Sequence, residues 1–211
     1  MLVSHDEKVP IARLLTFLEH GERMAHDCAK SQAALNEDSG TRRFLLSQAK
    51  QEAMHARVFQ VAIAWLAPKH LRDAPFLPAL EEYRRILDDA LARHDLMETF
   101  LAEQVVLEGL GEAVLTRIER GLVKRAAPFG LLRRILLKQE EAHHGFGRRR
   151  LERAMAEGRF DAKTLRCRAE RYLALSDLFE SIAEDPSAWA QDVQSFLPEW
   201  LREEPIAVGR S

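Results

Sequence analysis

Two short motifs pair a glutamate with a histidine three residues later, as Glu52/His55 and Glu140/His143. On a helix this spacing places the carboxylate and the imidazole about one turn apart on the same face, so that both can reach one metal ion. Carboxylates combined with imidazoles suit iron or manganese better than zinc or copper alone. One such motif is expected by chance in a chain of this composition, so the position of each motif must carry the argument.

Both motifs fall on stripes that should be buried. Apolar residues recur at helical spacing before and after each motif, which is the pattern of a helix face that packs into a core. The stripe of the second predicted helix reads Leu45, Gln48, Glu52, His55, Phe59 and Ala62, and that of the fourth reads Leu132, Leu136, Glu140, His143 and Gly147. Charged groups on a buried face are unfavourable unless they are paired or bind a metal.

The predicted turns bring a lone glutamate level with each motif. Glu22 and Glu52 lie fifteen residues on either side of the first turn, and Glu108 and Glu140 lie sixteen residues on either side of the second. Residues equidistant from the turn of an antiparallel helical hairpin lie side by side. Four carboxylates and two imidazoles at one depth match the ligand set of di-iron and di-manganese bundles. The predicted ligands are Glu22, Glu52, His55, Glu108, Glu140 and His143.

The third helix offers alternatives to Glu108. Glu112 is one turn further along the same stripe, and it could be an extra ligand, a shifting carboxylate or a proton relay. Gln104, on the same helix, could manage protons or orient a substrate. Glu103 is set aside, because it lies off the stripe and its midpoint with Glu140 falls inside the helix.

Positioning these residues requires an all-α fold. We predict a four-helix bundle over residues 1–158, made of two antiparallel hairpins joined by a long crossover at 67–94. Residues 159–211 form a C-terminal helical extension, and the sequence leaves open whether it packs on the bundle, covers the site or makes a homodimer contact. The predicted helices span about 10–35, 41–65, 79–93, 95–120, 129–157, 162–184 and 187–203, with Gly121 ending the third long helix and the turn at 36–40 capping the second.

Composition narrows the functional classes. The chain has 211 residues and a formal net charge of -2, so nucleic acid is not an expected partner. Its 2 cysteines, Cys28 and Cys167, form no CxxC motif or disulfide framework, which is typical of a reducing cytoplasm. No transmembrane stretch and no signal-peptide pattern are expected.

At the ligand motifs the chain resembles the ferritin-like diiron carboxylate superfamily over roughly residues 10–156. The segments 51–59 (QEAMHARVF) and 140–147 (EEAHHGFG) look closer to its oxygen-activating branch than to ferritin, with Phe146 and Gly147 matching an aromatic-glycine pair after the last histidine. The resemblance implies two iron ions, with manganese or a mixed pair as alternatives. It also implies an external electron donor, such as a ferredoxin or a flavin reductase, for which 148–150 is a candidate docking site.

The chain departs from that superfamily at three points. Gln51 and Gln139 stand where an acidic residue often orients a histidine, and an amide oxygen can still accept the imidazole N–H without a charge. Phe59 occupies the position of the radical-bearing tyrosine of ribonucleotide reductase and cannot do that chemistry. A rubredoxin-like CxxC pair is missing, which makes an ordinary rubrerythrin unexpected.

The predicted function is dioxygen activation by an oxidase or oxygenase that acts on a small apolar organic substrate. Ferroxidase or iron storage, a rubrerythrin-like peroxidase, and a metal-free interaction module are the alternatives. The side chains expected to line the site, either as a substrate pocket or as ordinary core packing, are Cys28, Met54, Phe59, Leu101, Val105, Gly109, Gly111, Leu115 and Phe146.

Overall fold

The computed structural model describes residues 4–70, 77–126, 130–180, 191 and 195–202, and within them the chain is helical with no β-strand. The third long helix is built of α4, a π-helical segment and α5 in direct succession. The elements are α1 (Lys8–Leu35), α2 (Ser39–Leu66), a 3₁₀ turn (Pro68–His70), α3 (Leu77–Ala92), α4 (Leu96–Phe100), the π-helical segment (Leu101–Leu107), α5 (Glu108–Lys124), α6 (Gly130–Ala156), α7 (Ala162–Glu180) and a second 3₁₀ turn (Glu199–Leu201).

The first hairpin forms where the sequence predicts it. Helices α1 and α2 are joined by residues 36–38 and pack along each other. Asp38 caps α2, because its carboxylate accepts a hydrogen bond of 2.7 Å from the backbone N–H of Thr41. The predicted turn and helix cap are therefore confirmed.

The third long helix differs from the prediction in two ways. It continues through Gly121 to Lys124, because a glycine inside a helix costs only about 1 kcal/mol relative to alanine and does not by itself end the helix. Its middle is π-helical: the backbone N–H of Glu108 donates to the carbonyl of Glu103, five residues earlier. This wider turn changes which residues share a face.

Helices α3 and α7 both pack beside the start of the third long helix. The Tyr83 hydroxyl of α3 donates a 2.5 Å hydrogen bond to the carbonyl of Ala102 in the π-helical segment. From α7, the Tyr172 hydroxyl and Arg168 donate to the buried carboxylate of Glu98, at 2.7 and 2.8 Å. The first helix of the predicted C-terminal extension thus contacts the rest of the chain. About half of the last predicted helix, 187–203, lies outside the described residues, and its described end is the 3₁₀ turn Glu199–Leu201 and not an α-helix.

The core lies between α1, α2, the third long helix and α6, which pack against one another. Its apolar residues include Leu18, Leu45, Phe59, Phe100 and Leu110. None of the described helices is both long enough and apolar enough to cross a bilayer.

Candidate metal centre

The structure brings all six predicted ligands together in two adjacent groups. In each group the ligand atoms lie within 4.8 Å of one another, and all of the residues are buried. Glu52 and Glu140 belong to both groups, so each group has one imidazole, one carboxylate of its own and two shared carboxylates. The first group is Glu22, Glu52, His55 and Glu140, and the second is Glu52, Glu108, Glu140 and His143. Each group could hold a metal ion, and Glu52 and Glu140 would be available to both ions.

Both histidines turn the same ring nitrogen towards the carboxylates. Nδ1 of His55 lies 2.9 Å from Glu140 Oε1, 3.2 Å from Glu52 Oε2 and 3.3 Å from Glu22 Oε2. Nδ1 of His143 lies 2.8 Å from Glu52 Oε1 and 3.9 Å from Glu108 Oε1. The two imidazoles therefore face into the cluster from α2 and α6.

The opposite ring nitrogens are held by the two glutamines that the sequence places just before the motif glutamates. His55 Nε2 donates to Gln139 Oε1 at 2.8 Å, and His143 Nε2 donates to Gln51 Oε1 at 2.7 Å. The glutamine that precedes each motif therefore orients the histidine of the other motif. With the Nε2 proton committed to an amide oxygen, Nδ1 of a neutral ring presents a lone pair to the carboxylates, which is favourable only with a proton or a cation between them.

Several polar atoms of the cluster have no hydrogen-bond partner. Within the described residues these include both carboxylate oxygens of Glu52, Oε1 of Glu140 and Nδ1 of His143, although they are buried. Leaving such atoms unsatisfied costs several kcal/mol in a low-dielectric interior. Because the unpartnered atoms all point into the same cluster, the residues present fit a bound cation.

Burial and the close packing of these groups shift the pKa values of four cluster residues. Burial, together with the charge of Glu140, raises the pKa of Glu22, and burial with the charge of Glu52 raises that of Glu108. Burial alone would raise the pKa of Glu52, but the adjacent imidazoles of His143 and His55 lower it. Burial alone would lower the pKa of His55, but the three carboxylates around its Nδ1 raise it. The raised pKa values favour the protonated carboxyl groups of Glu22 and Glu108, and a bound metal would compete with those protons.

On the third long helix, Glu108 rather than Glu112 joins the cluster. Glu112 pairs instead with Nδ1 of His144, at 3.1 Å. The prediction that Glu103 lies off the buried face was wrong: its side chain is 0% exposed, and one of its carboxylate oxygens accepts a 2.8 Å hydrogen bond from Gln48. The π-helical segment explains the difference. On a regular α-helix, residues five apart such as Glu103 and Glu108 would point about 140° away from each other, whereas the wider π-helical turn brings them to the same side.

Sequence reasoning also missed a chain of buried amides beside Glu108. The Gln48 amide nitrogen donates to Glu108 as well as Glu103, and its oxygen accepts from Gln104 at 3.3 Å. Gln104 in turn exchanges two hydrogen bonds with Gln32. Gln104, expected beside the reacting groups, therefore lies inside this amide chain. The signal was present for Gln48, which stood as a polar residue on the apolar stripe of α2.

The predicted lining is mostly core packing. Met54 is 45% exposed on the outside of α2, so its assignment to a pocket was wrong. Gly109 faces the His144 ring, and Phe146 stacks on Phe44 with ring centres 4.1 Å apart. The remaining predicted lining residues pack in the buried core: Cys28, Phe59, Leu101, Val105 and Leu115.

Only Gly111 of the predicted set lines the cleft that reaches the ligands. This apolar cleft between α1 and α5 has a volume of about 20 Å³, room for about one water molecule. Gly21 and Gly111 line this cleft, and a methyl group at either position would be in ordinary contact with a neighbouring leucine, at 4.0 Å. It is lined by Phe17, Leu18, Gly21, Glu22, Ala25, Leu107, Glu108, Gly111 and Glu140.

The arginines at 148–150 do not form one uniform charged surface. Arg148 is exposed and pairs with Glu152 at 3.5 Å. Arg150 is half-buried, with its guanidinium 5.6 Å from the centre of the Phe100 ring, and burial lowers its pKa. Part of this run therefore stabilises packing between α6 and the third long helix.

No protein-family model and no curated protein sequence matches this chain. Its function must therefore be inferred from the cluster itself.

Proposed function

We propose that this chain is a dinuclear metal protein of the ferritin-like diiron carboxylate superfamily, an oxidoreductase that binds two iron ions and reacts with dioxygen. The observation that carries the proposal is the pair of ligand groups that share Glu52 and Glu140. Four carboxylates balance the charge of two divalent ions, and each ion has one imidazole. Hard carboxylate oxygens with imidazole nitrogen suit iron, and the same donors accept manganese.

The chain's own residues would hold and tune such a pair. Glu22 and His55 would serve one ion, Glu108 and His143 the other, with Glu52 and Glu140 between them. Gln139 and Gln51 keep each Nε2 protonated and thus keep each Nδ1 available as a ligand. When bound, paired ferrous ions supply the two electrons that dioxygen accepts.

The cleft between α1 and α5 gives small molecules a short way to the ligands. Its apolar walls exclude bulk water, and its size matches dioxygen rather than an organic molecule. Oxygenation of a small apolar substrate, which the resemblance implies, therefore requires the cleft to widen when the substrate binds. An external reductant would restore the ferrous pair after each turnover.

The small cleft also supports a second candidate within the same superfamily. Ferroxidase or peroxidase activity needs access only for an ion, dioxygen or hydrogen peroxide, and the cleft is large enough for these. A metal-free interaction module is disfavoured, because it would leave the buried oxygens of Glu52 without any partner.

The decisive experiment is an anaerobic ferrous titration followed by exposure to air. We expect two ferrous ions per chain and rapid oxygen consumption, with Glu141→Gln as the matched control, since Glu141 adjoins Glu140 but is exposed. Fewer than about one transition metal per chain, with no gain on loading, would overturn the proposal. Sustained oxygen consumption with an added reductant supports an oxidase or oxygenase, whereas a single burst that leaves ferric iron bound supports a ferroxidase.

A further inference from the structure

The π-helical segment places a fifth carboxylate beside the second ligand group. In a π-helix the backbone hydrogen bonds join residues five apart, and here that bond joins Glu103 to Glu108. Both side chains consequently point to the same side of the helix. A single amide nitrogen, that of Gln48, donates to both carboxyl groups, at 2.8 Å to Glu103 and 3.0 Å to Glu108.

Within the described ranges, Glu103 forms no ion pair with a cationic side chain. It is fully buried, its Oε2 has no hydrogen-bond partner, and no lysine or arginine in the described part of the chain pairs with it. Burial and the charge of Glu52 raise the pKa of its carboxyl group. A buried carboxylate with one unsatisfied oxygen needs a proton or a cation, and the nearest position for a cation is the one that Glu108 would ligate.

The amide chain fixes the direction of the Gln48 side chain. The oxygen of Gln48 accepts from Gln104, which exchanges hydrogen bonds with Gln32, and Gln32 also donates to Thr99 Oγ1 at 3.1 Å. Because the oxygen of Gln48 is engaged on that side, its amide nitrogen must face the two carboxylates. Gln48 thus holds together two acidic groups that would otherwise repel each other, which is useful if both serve the same ion.

We propose that Glu103 is a further metal ligand, a second terminal carboxylate that shares the ion on the His143 side with Glu108. The proposal rests on the proposed function, since it requires a metal in the second ligand group. It makes the centre asymmetric: the ion on the His55 side has Glu22 alone, whereas the ion on the His143 side would have Glu108 and, in addition, Glu103, which lies beside Glu108 but outside the 4.8 Å ligand group and would join it.

Titration with Co²⁺ tests this without relying on turnover. Calorimetry gives a dissociation constant for each ion, and the visible absorption of Co²⁺ changes with its coordination. We expect Glu103→Gln to raise the dissociation constant of one Co²⁺ ion by at least about tenfold and to change the absorption of that ion. The dissociation constant of the other ion should not change. The double variant Glu103→Gln/Glu108→Gln should lose the ion on the His143 side altogether, although each single variant retains it weakly.

The matched control is Glu112→Gln, a substitution of the same kind on the same helix at a residue whose carboxylate pairs with His144 instead of lying beside Glu108. Unchanged dissociation constants and an unchanged spectrum for Glu103→Gln would overturn the proposal. Should that variant fail to fold by circular dichroism, Glu103→Asp provides the same test, because withdrawing a ligand by one methylene must alter the spectrum. If wild-type protein binds no Co²⁺, Mn²⁺ or Fe²⁺, the proposed function fails, and this outcome is distinct from a failure of the Glu103 assignment.

Discussion

The two halves of the candidate metal centre present the same donors on differently built helices. Glu22 and His55 project from the regular helices α1 and α2. Glu108, in contrast, is the first residue after the π-helical segment, and Glu103 and Gln48 crowd beside it. The donor set is therefore repeated while its surroundings are not. Two ions held by equivalent ligands would have different affinities, because only one half carries an additional carboxylate.

Elements outside the four long helices contact the irregular half directly. Tyr83 of α3 bonds the Ala102 carbonyl inside the π-helical segment, and residues of α7 bond Glu98 just before it. A π-helical turn is less favourable than a continuous α-helix and persists where its surroundings fix it. We infer that α3 and α7 hold the π-helical segment of the second half in place, although α3 also packs on α1, where Arg84 pairs with Asp27.

Removing a shared carboxylate should reduce metal binding more than any other substitution, because it takes a ligand from both halves of the centre at once. Glu52 belongs to both ligand groups, so Glu52→Ala should reduce binding from two ions per chain to almost none. Glu22→Ala should remove one ion only. Metal analysis after anaerobic loading measures both stoichiometries, and Glu141→Ala controls for loss of an exposed acidic residue on α6.

The contrary result is easily recognised. Retention of a full second ion by Glu52→Ala would mean that Glu52 does not bridge, and the two groups would then be independent. Equal losses in Glu22→Ala and Glu52→Ala would mean that the two ions bind only together, in which case the halves cannot be compared one ion at a time.

The stability of the metal-free chain should fall as the pH rises through the window that begins at 4.5, the ordinary pKa of glutamate, and ends at the raised pKa values of the cluster. The pKa values of Glu22, Glu103 and Glu108 are raised above the ordinary 4.5, so the folded chain holds protons that the unfolded chain releases. Each proton that only the folded chain holds lowers the free energy of unfolding by about 1.4 kcal/mol per pH unit within that window. Carboxylates with lowered pKa values, such as Glu52, have finished titrating below it and contribute no slope.

Thermal unfolding followed by circular dichroism measures this dependence and sharpens the comparison. Two of the three raised carboxylates belong to the irregular half, so Glu103→Gln/Glu108→Gln should flatten the slope more than Glu22→Gln does. Saturating Fe²⁺ or Mn²⁺ should oppose the trend, because metal binding requires the deprotonated ligands and tightens as pH rises. A metal-free melting temperature that increases over this range would contradict the prediction.

Regular geometry explains how much of this centre could be predicted from sequence. The spacing of Glu52 and His55 on an α-helix, and the level of Glu22 across a short turn, follow from helix periodicity and residue counting. Glu103 could not be found that way, because the argument that excluded it assumed 100° per residue through a segment that is π-helical. No glycine or proline lies within Leu101–Leu107, and the contacts that favour the wider turn come from distant parts of the chain.

The smallest effect we predict concerns the close approach of Gly147 in α6 to Gln104 in the π-helical segment. A methyl group at Gly147 of α6 would overlap the side chain of Gln104 and approach its carbonyl carbon to 3.3 Å. Gly147→Ala should therefore destabilise the chain by about 1–3 kcal/mol and weaken only the ion on the His143 side. Gly121→Ala is the matched control: nothing lies within 4 Å of a methyl group there, and alanine should stabilise α5 by up to about 1 kcal/mol. Denaturant unfolding and Co²⁺ calorimetry measure the two effects. Equal weakening of both ions by Gly147→Ala would mean that α6 as a whole has moved, and the π-helical segment would then not be what distinguishes the two halves.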